Sequence, residues 1–347
     1  MRQTVIRLDK ERTSFGGLKA YSEDVPKPSK HEVLMKVVAV SLNYRDIAIA
    51  TSKYPFPVKD NVVPCSDAAG IVVEVGEGVN SVAVGDHIIG TLDFSNLFGQ
   101  QMSWSGGQGG PVDGVLREYL AIPAASAVIV PKNSPQSFAE WSTLVVTGVT
   151  AWNSLYGNTP LRPGQVVLFQ GTGGVSVSGL ILARAAGAVT IVTSSSDEKL
   201  KFVKDKYMAD FTVNYKTHPE WSQEVLRLTG GQGVDYVFEN GGSGTIAQSI
   251  KCLKMGGNVS VIGFLSGATQ DQMPDIASLA LEKGAIVRGI QGGSTQLLQQ
   301  VAQFVGARGL RLPVEKVFKF TEEDIRNAYD YVASGSHIGK VCIQVSD

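Results

Sequence analysis

Gln170-Gly171-Thr172-Gly173-Gly174-Val175-Ser176-Val177 carries the strongest chemical signal in the sequence. It follows the apolar run Val166-Val167-Leu168-Phe169 and opens a segment of helical period that lasts to Gly187, which predicts a strand, a glycine turn and a helix in that order. Glycines let a backbone approach a pyrophosphate, and the first N–H groups of a helix bind it. Gly171, Thr172, Gly173, Gly174 and Val175 are therefore the expected cofactor loop, although a strict dinucleotide fingerprint has glycine where Ser176 stands. A glycine-rich turn of some other α/β protein is the alternative. The next apolar run, 189–193, ends in Ser194-Ser195-Ser196, about 20 residues past the glycines, where an NAD enzyme places an acidic residue against the ribose 2′-hydroxyl. Hydroxyls there, Lys199 one turn on and Tyr215 at the end of the following strand suit a 2′-phosphate, which predicts NADPH over NADH. Two other readings stand beside this one. Ser195 and Glu198 fit a capping box, S-x-x-E, and Asp197 is near enough to hold a ribose.

The elements that must position these residues change character along the chain. From Glu32 to about Val130 the apolar stretches are short and β-branched (33–40, 70–75, 87–90), separated by turn residues such as Gly76-Glu77-Gly78 and Gly85-Asp86, so this half is expected to be mostly β. From Gly164 onward apolar runs alternate with helical segments up to 286–290, the pattern of a parallel sheet covered by helices on both faces. After Gly293 come a helix, the strand-like 315–320, a second helix opening near Thr321 and a last strand, 341–345, expected to return to the first domain.

Composition narrows the partners. The chain has 347 residues, 43% hydrophobic and 18% charged, enough for two domains with full cores. Lys+Arg 31 against Asp+Glu 32 leaves a net charge of -1, so no global field favours nucleic acid or an anionic membrane. A small-molecule partner is expected. Cys65, Cys252 and Cys342 are odd in number and far apart, matching neither a disulfide framework nor a C-x-x-C metal pair, which suits a reducing compartment. The charged N-terminus and the lack of any apolar run near the ~20 residues of a membrane span predict a cytoplasmic protein. Residues 285–290 are apolar enough to form a sheet edge that pairs with a two-fold mate, so a homodimer is expected.

The glycine loop and 193–196, together with Asn43-Tyr44-Arg45-Asp46 and the stretch from Gly70-Ile71-Val72-Val73-Glu74-Val75-Gly76 to Gly85-Asp86, resemble the medium-chain dehydrogenase/reductase superfamily, most closely its zinc-free quinone oxidoreductase-like members. The resemblance spans nearly the whole chain. It implies an α/β fold: a GroES-like, mostly-β catalytic domain over residues 1–135 and 293–347, a Rossmann NADP-binding domain over 136–292, and an active site in the cleft between them. It further implies cofactor contacts from Thr147, from Asn240, Gly263, Phe264 and Gln291 at successive strand ends, and from Lys340, whose alternative is a solvated lysine opening a strand.

In zinc-dependent relatives a cysteine stands at the place of Asn43, and a His-Glu pair at that of Ser66-Asp67. Catalytic zinc needs three Cys, His or carboxylate ligands, so no metal is expected. Without one, the oxygen that becomes negative during hydride transfer needs hydrogen-bond donors. Asn43, Tyr44 and Arg45 are the catalytic candidates: an amide N–H, a phenol able to deliver a proton, and a fixed positive fork. Against these stand helix capping by Asn43, core packing of Tyr44 and an ion pair of Arg45 with Asp46 or Asp67. Cys65 is either a reactive thiol or a small buried hydrophobe. Loop 94–110, with Phe94, Phe98, Met102 and Trp104 among glycines, reads as a wall for an aromatic substrate or as disorder. Three functions follow: NADPH-dependent reduction of a quinone or an activated double bond, alcohol/carbonyl interconversion, or NADPH binding without turnover.

Overall fold

The structure, a computed structural model, describes residues 1–346. Packing divides the chain into two compact units, Met1–Val149 with Gly292 onward, and Thr150–Gln291. The first boundary lies later than the expected 135/136, for a physical reason. Helix Phe138–Ser142 packs on strands Glu32–Ser41 and Asp67–Val75, with Trp141 buried and Ala139 clustered with Ala39 and Cys342.

The first unit is built on a seven-stranded sheet. Its order runs Val314–Lys319, Lys340–Gln344, Glu32–Ser41, Asp67–Val75, His87–Gly90, Ala127–Val130, with Tyr119–Pro123 also paired to Glu32–Ser41. β-Branched residues fill these strands, and both faces of Glu32–Ser41 are largely buried, as its Val-rich run requires. The last strand runs antiparallel to this one, Cys342 facing Ser41 and Ile343 facing Val40. That pairing brings residues just over 300 positions apart in sequence side by side. Gly70 permits the pairing of the two central strands, since a Cβ there would stand 2.1 Å from the Lys36 carbonyl oxygen. Helix Glu322–Ala333 packs Ile325, Ala328 and Tyr329 into the same core as Met35, Val72 and Ile88.

The second unit is a six-stranded, all-parallel sheet ordered Phe211–Asn214, Val189–Ser194, Val166–Gln170, Val234–Glu239, Leu253–Val261, Ile286–Gly289. Numbered within the unit this is 3-2-1-4-5-6, the doubly wound arrangement in which ligands bind at the C-terminal strand ends, where the strand order reverses. The helices predicted between the strands are present, including Gly174–Ala185 and Asp197–Tyr207. One expected cap is displaced: the residue that caps Asp197–Tyr207 is Ser196, whose Oγ accepts from Lys199 N–H at 3.3 Å, not Ser195.

Candidate active site

In the first unit, strand Glu32–Ser41 runs out at Leu42 and the chain turns at Asn43 into helix Tyr44–Ala50. Asp46 closes that turn by accepting from the Asn43 backbone N–H at 2.8 Å. The cap is therefore made by Asp46, and the Asn43 side chain does other work. Its Oδ1 accepts from the Lys340 ammonium at 2.6 Å, and Lys340 also donates to the Leu42 carbonyl at 2.5 Å. An ammonium has donors only, so this contact fixes which end of the amide is which. The other end, Asn43 Nδ2, is buried and has no hydrogen-bond partner. Such a donor is costly unless something accepts from it.

Lys340 is 2% exposed, so it is not the solvated lysine considered from sequence. Its ammonium lies 3.7 Å from Asp67 Oδ2. Asp67, fully buried, also accepts from Ser41 Oγ at 3.2 Å and Ser66 Oγ at 2.7 Å. The Asn43 amide and the Asp67 carboxylate thus flank a buried ammonium, with the Ser66 hydroxyl bound to the far oxygen of Asp67. Among the described residues, no three His, Cys, Asp or Glu side chains converge as a metal site.

Arg45 is drawn inward: its guanidinium donates to the Gln108 carbonyl at 2.7 Å, lies 4.0 Å from Asp46 Oδ1 and stacks over the Tyr54 ring at 5.4 Å. The Asp46 contact is the ion pair that stood as the alternative to a fork aimed at substrate. Asp46 is wholly buried and its carboxyl is pushed up to about 6, mainly by that burial, with Arg45 opposing. Tyr44 is half exposed, which removes core packing as its explanation. Cys65 is not a reactive thiol: it is fully buried, burial pushes its thiol well up, and its Sγ contacts Tyr329 Oη at 3.3 Å. Loop 94–110 is ordered by its own polar contacts, Gln101 to Asp93 among them, while Trp104 stacks on Phe56 at 4.3 Å and Phe98 and Met102 stay exposed. Thr147 lies buried on one turn of π-helix, Leu144–Gly148, its hydroxyl donating to Thr143 O; such turns are frequent at functional sites.

In the second unit, Gly171 takes a φ of +76°, and its N–H donates to Thr193 O at 2.8 Å. Gly173 is the N-cap of helix Gly174–Ala185. A Cβ built on either Gly171 or Gly173 would meet nothing within 4 Å, so the loop presents open backbone of the kind a pyrophosphate needs. Thr172 lies within this turn, Gly174 opens the helix and Val175 is its second residue. Ser194 ends its strand, and Ser195, Tyr215, Asn240, Gly263, Phe264 and Gln291 follow the C-terminal ends of theirs, so the structure lines them along one end of the sheet with the glycine loop. Lys199 sits one turn into helix Asp197–Tyr207 at that end. Asp197, the competing ribose ligand, accepts from Asn214 Nδ2 at 2.7 Å. The Asn240 side chain clasps the loop from behind, donating to Gln170 O and Ser176 Oγ, both at 2.9 Å.

Ser176, an apparent defect in the fingerprint, holds the loop through its own bond to Gln170 O at 2.7 Å. The close helix–sheet approach falls instead to Gly179, where a Cβ would lie 2.6 Å from the Phe169 ring and 2.8 Å from that of Phe238. Gly179 was readable as a lone glycine in an apolar helix. Gln170 and Glu239 were missed because only the fold brings them together.

The chain matches the alcohol dehydrogenase GroES-like domain over residues 29–132 and the zinc-binding dehydrogenase family over 174–307. A zinc-type alcohol dehydrogenase-like protein of Schizosaccharomyces pombe is 41% identical over 96% of this chain and 97% of its own. The chain belongs to the medium-chain dehydrogenase/reductase superfamily. A putative alcohol dehydrogenase from Sinorhizobium meliloti, 34% identical, superposes with a TM-score of 0.88 over 99% of this chain and 98% of the other. An NAD-dependent alcohol dehydrogenase, 28% identical, gives 0.85 over 100% of both. The medium-chain enzyme is accordingly an NAD(P)-dependent oxidoreductase with a GroES-like and a Rossmann-like domain.

Proposed function

We propose that this medium-chain enzyme reduces a quinone or an α,β-unsaturated carbonyl compound with NADPH and without a metal. The observation that carries the reading is the Asn43 amide, with Oδ1 pinned by a buried ammonium and Nδ2 left as a buried donor without an acceptor. A zinc ion does not suit these residues. Tetrahedral zinc takes nitrogen, thiolate or carboxylate ligands; here an amide and a hydroxyl replace two of them, and the cation beside Asp67 is Lys340. When bound, the nicotinamide supplies a hydride to an electron-poor carbon. Asn43 Nδ2 donates to the oxygen that becomes negative, the fixed charge of Lys340 behind it strengthens that donation, and the Tyr44 hydroxyl delivers the proton. Gly171, Thr172, Gly173, Gly174 and Val175 hold the pyrophosphate, with Thr147 toward the nicotinamide half. Ser194, Ser195, Lys199 and Tyr215 hold the 2′-phosphate, a reading favoured by the engagement of Asp197 with Asn214.

Alcohol/carbonyl interconversion is the second reading, favoured by the names of the 41% and 34% identical relatives. Spectrophotometric assay of NADPH and NADH oxidation with quinones, enones, enals and aldehydes, and of the reverse reaction with alcohols, separates the two. Turnover of enones or quinones with NADPH is expected. Alcohol oxidation as the main activity would move the enzyme to the second reading, and cofactor binding without any turnover to a non-catalytic one.

A further inference from the structure

Glu239 ends strand Val234–Glu239 with no solvent exposure, and no ion pair to it occurs among the described residues. Five donors meet its carboxylate instead. Gly241 N–H at 2.8 Å, Gly242 N–H at 2.9 Å and Thr245 Oγ1 at 2.5 Å bind Oε1, while Gln170 Nε2 at 2.8 Å and Ser249 Oγ bind Oε2. Gln170 passes the contact on, its Oε1 accepting from Asn240 N–H at 2.9 Å and Gly241 N–H at 3.1 Å. The Glu239 backbone carbonyl takes Ile262 N–H at 2.8 Å and Gly263 N–H at 3.2 Å. One residue thus ties together the ends of three strands, and Gln170 is directly joined to Gly171.

We propose that Glu239, relayed through Gln170, is a positioning residue for the cofactor: it sets the placement of the glycine loop against the Asn240–Gly242 turn. This rests on the cofactor assignment above. The polarity of the network is forced, because backbone N–H groups cannot reverse and a carboxylate only accepts. Gln170 Nε2 must face Glu239, so its Oε1 must face Asn240 and Gly241. Glu239→Gln puts an amide N–H against either Gln170 Nε2 or the Gly241 and Gly242 N–H groups. A flip of Gln170 only transfers the clash to Asn240. The exchanged pair, Glu239→Gln with Gln170→Glu, restores every donor–acceptor match, the Ser249 hydroxyl being free to turn.

Asp235 supplies a matched control at the opposite end of the same strand, where it accepts from Val166 N–H at 2.7 Å and Lys254 Nζ at 2.8 Å. Calorimetric titration of NADPH and NADH into the full chain, with thermal melting of each variant, tests the proposal. Glu239→Gln is expected to weaken cofactor binding roughly 10- to 100-fold. Asp235→Asn should lose comparable stability but bind as the wild type does, and the exchanged pair should bind several-fold tighter than Glu239→Gln alone. If Glu239→Gln does not fold, Thr245→Val removes one of the five bonds and should weaken binding a few-fold. Binding by these variants as tight as that of Asp235→Asn would overturn the positioning role while leaving the cofactor assignment standing. A wild type that binds neither cofactor would overturn both.

Discussion

Asn43 and Lys340 carry most of the chemistry assigned to the first unit, and each makes a distinct prediction. Removing one donor to a developing oxyanion typically costs about 100- to 1,000-fold in rate, so Asn43→Ala should lower kcat with an enone by at least about 100-fold; it should also lower the melting temperature, because the buried Lys340 ammonium loses its Oδ1 acceptor. Lys340→Met should unfold more readily, because it leaves Asp67 buried without its cation; breaking a buried pair costs about 3 kcal/mol or more, measurable by urea denaturation. If Lys340→Met were as stable as the wild type, the ammonium would not be anchoring this cluster. Asn43 was legible from sequence because its neighbourhood is local: Asp46 lies one helical turn away and closes the same turn. The partner that orients it was not legible, since Lys340 meets it only through a strand pairing spanning nearly the whole chain. Arg45 was only partly legible for a related reason. Its inward pull comes from Gln108 and Tyr54, on segments whose approach no local pattern encodes.

At the scale of elements, the parallel sheet was readable because strand and helix periods alternate cleanly after Gly164. The caps were less so. Ser194, Ser195 and Ser196 are chemically equivalent, and only the backbone decides that Ser194 lies buried in the strand while Ser196 caps the helix. The short helix Phe138–Ser142 hides its allegiance in a single carboxylate. Glu140 makes the capping box with Ser137 and binds Arg311 at 2.7 Å and Leu312 N–H at 2.9 Å. Burial pushes its carboxyl up, but Arg311 and the two backbone N–H groups outweigh it and hold the carboxyl below its ordinary value of 4.5. A lowered acid stabilises the fold fully above its unfolded value and loses that contribution as pH falls through its folded value. Glu140→Gln should therefore cost about 2 kcal/mol at pH 7, and the gap to the wild type should narrow below pH 4.5. Parallel denaturation curves at pH 7 and in acid check this; a gap that stays constant would remove the ionised carboxylate from the account.

For the whole molecule, the sequence conveyed two domains and their classes, because β-branched alternation and strand–helix alternation occupy separate stretches. It misplaced one boundary, since helix Phe138–Ser142 is assigned by what it packs on rather than by its own period. Net charge and composition pointed to a small-molecule partner, and no helix among the described residues is long and apolar enough to cross a membrane. Strand Ile286–Gly289 ends the parallel sheet, with Ile286 39% exposed. An uncovered edge of this kind invites pairing, so light scattering should report a homodimer, and Ile286→Lys should shift it toward monomer. A wild-type monomer at micromolar concentration would refute this. The central claim is reduction without a metal, and the most direct measurement is elemental analysis of purified enzyme combined with NADPH oxidation by an enone before and after chelator dialysis. We expect no stoichiometric zinc and an unchanged rate; one zinc per chain, with activity lost on chelation and regained on adding zinc, would contradict it.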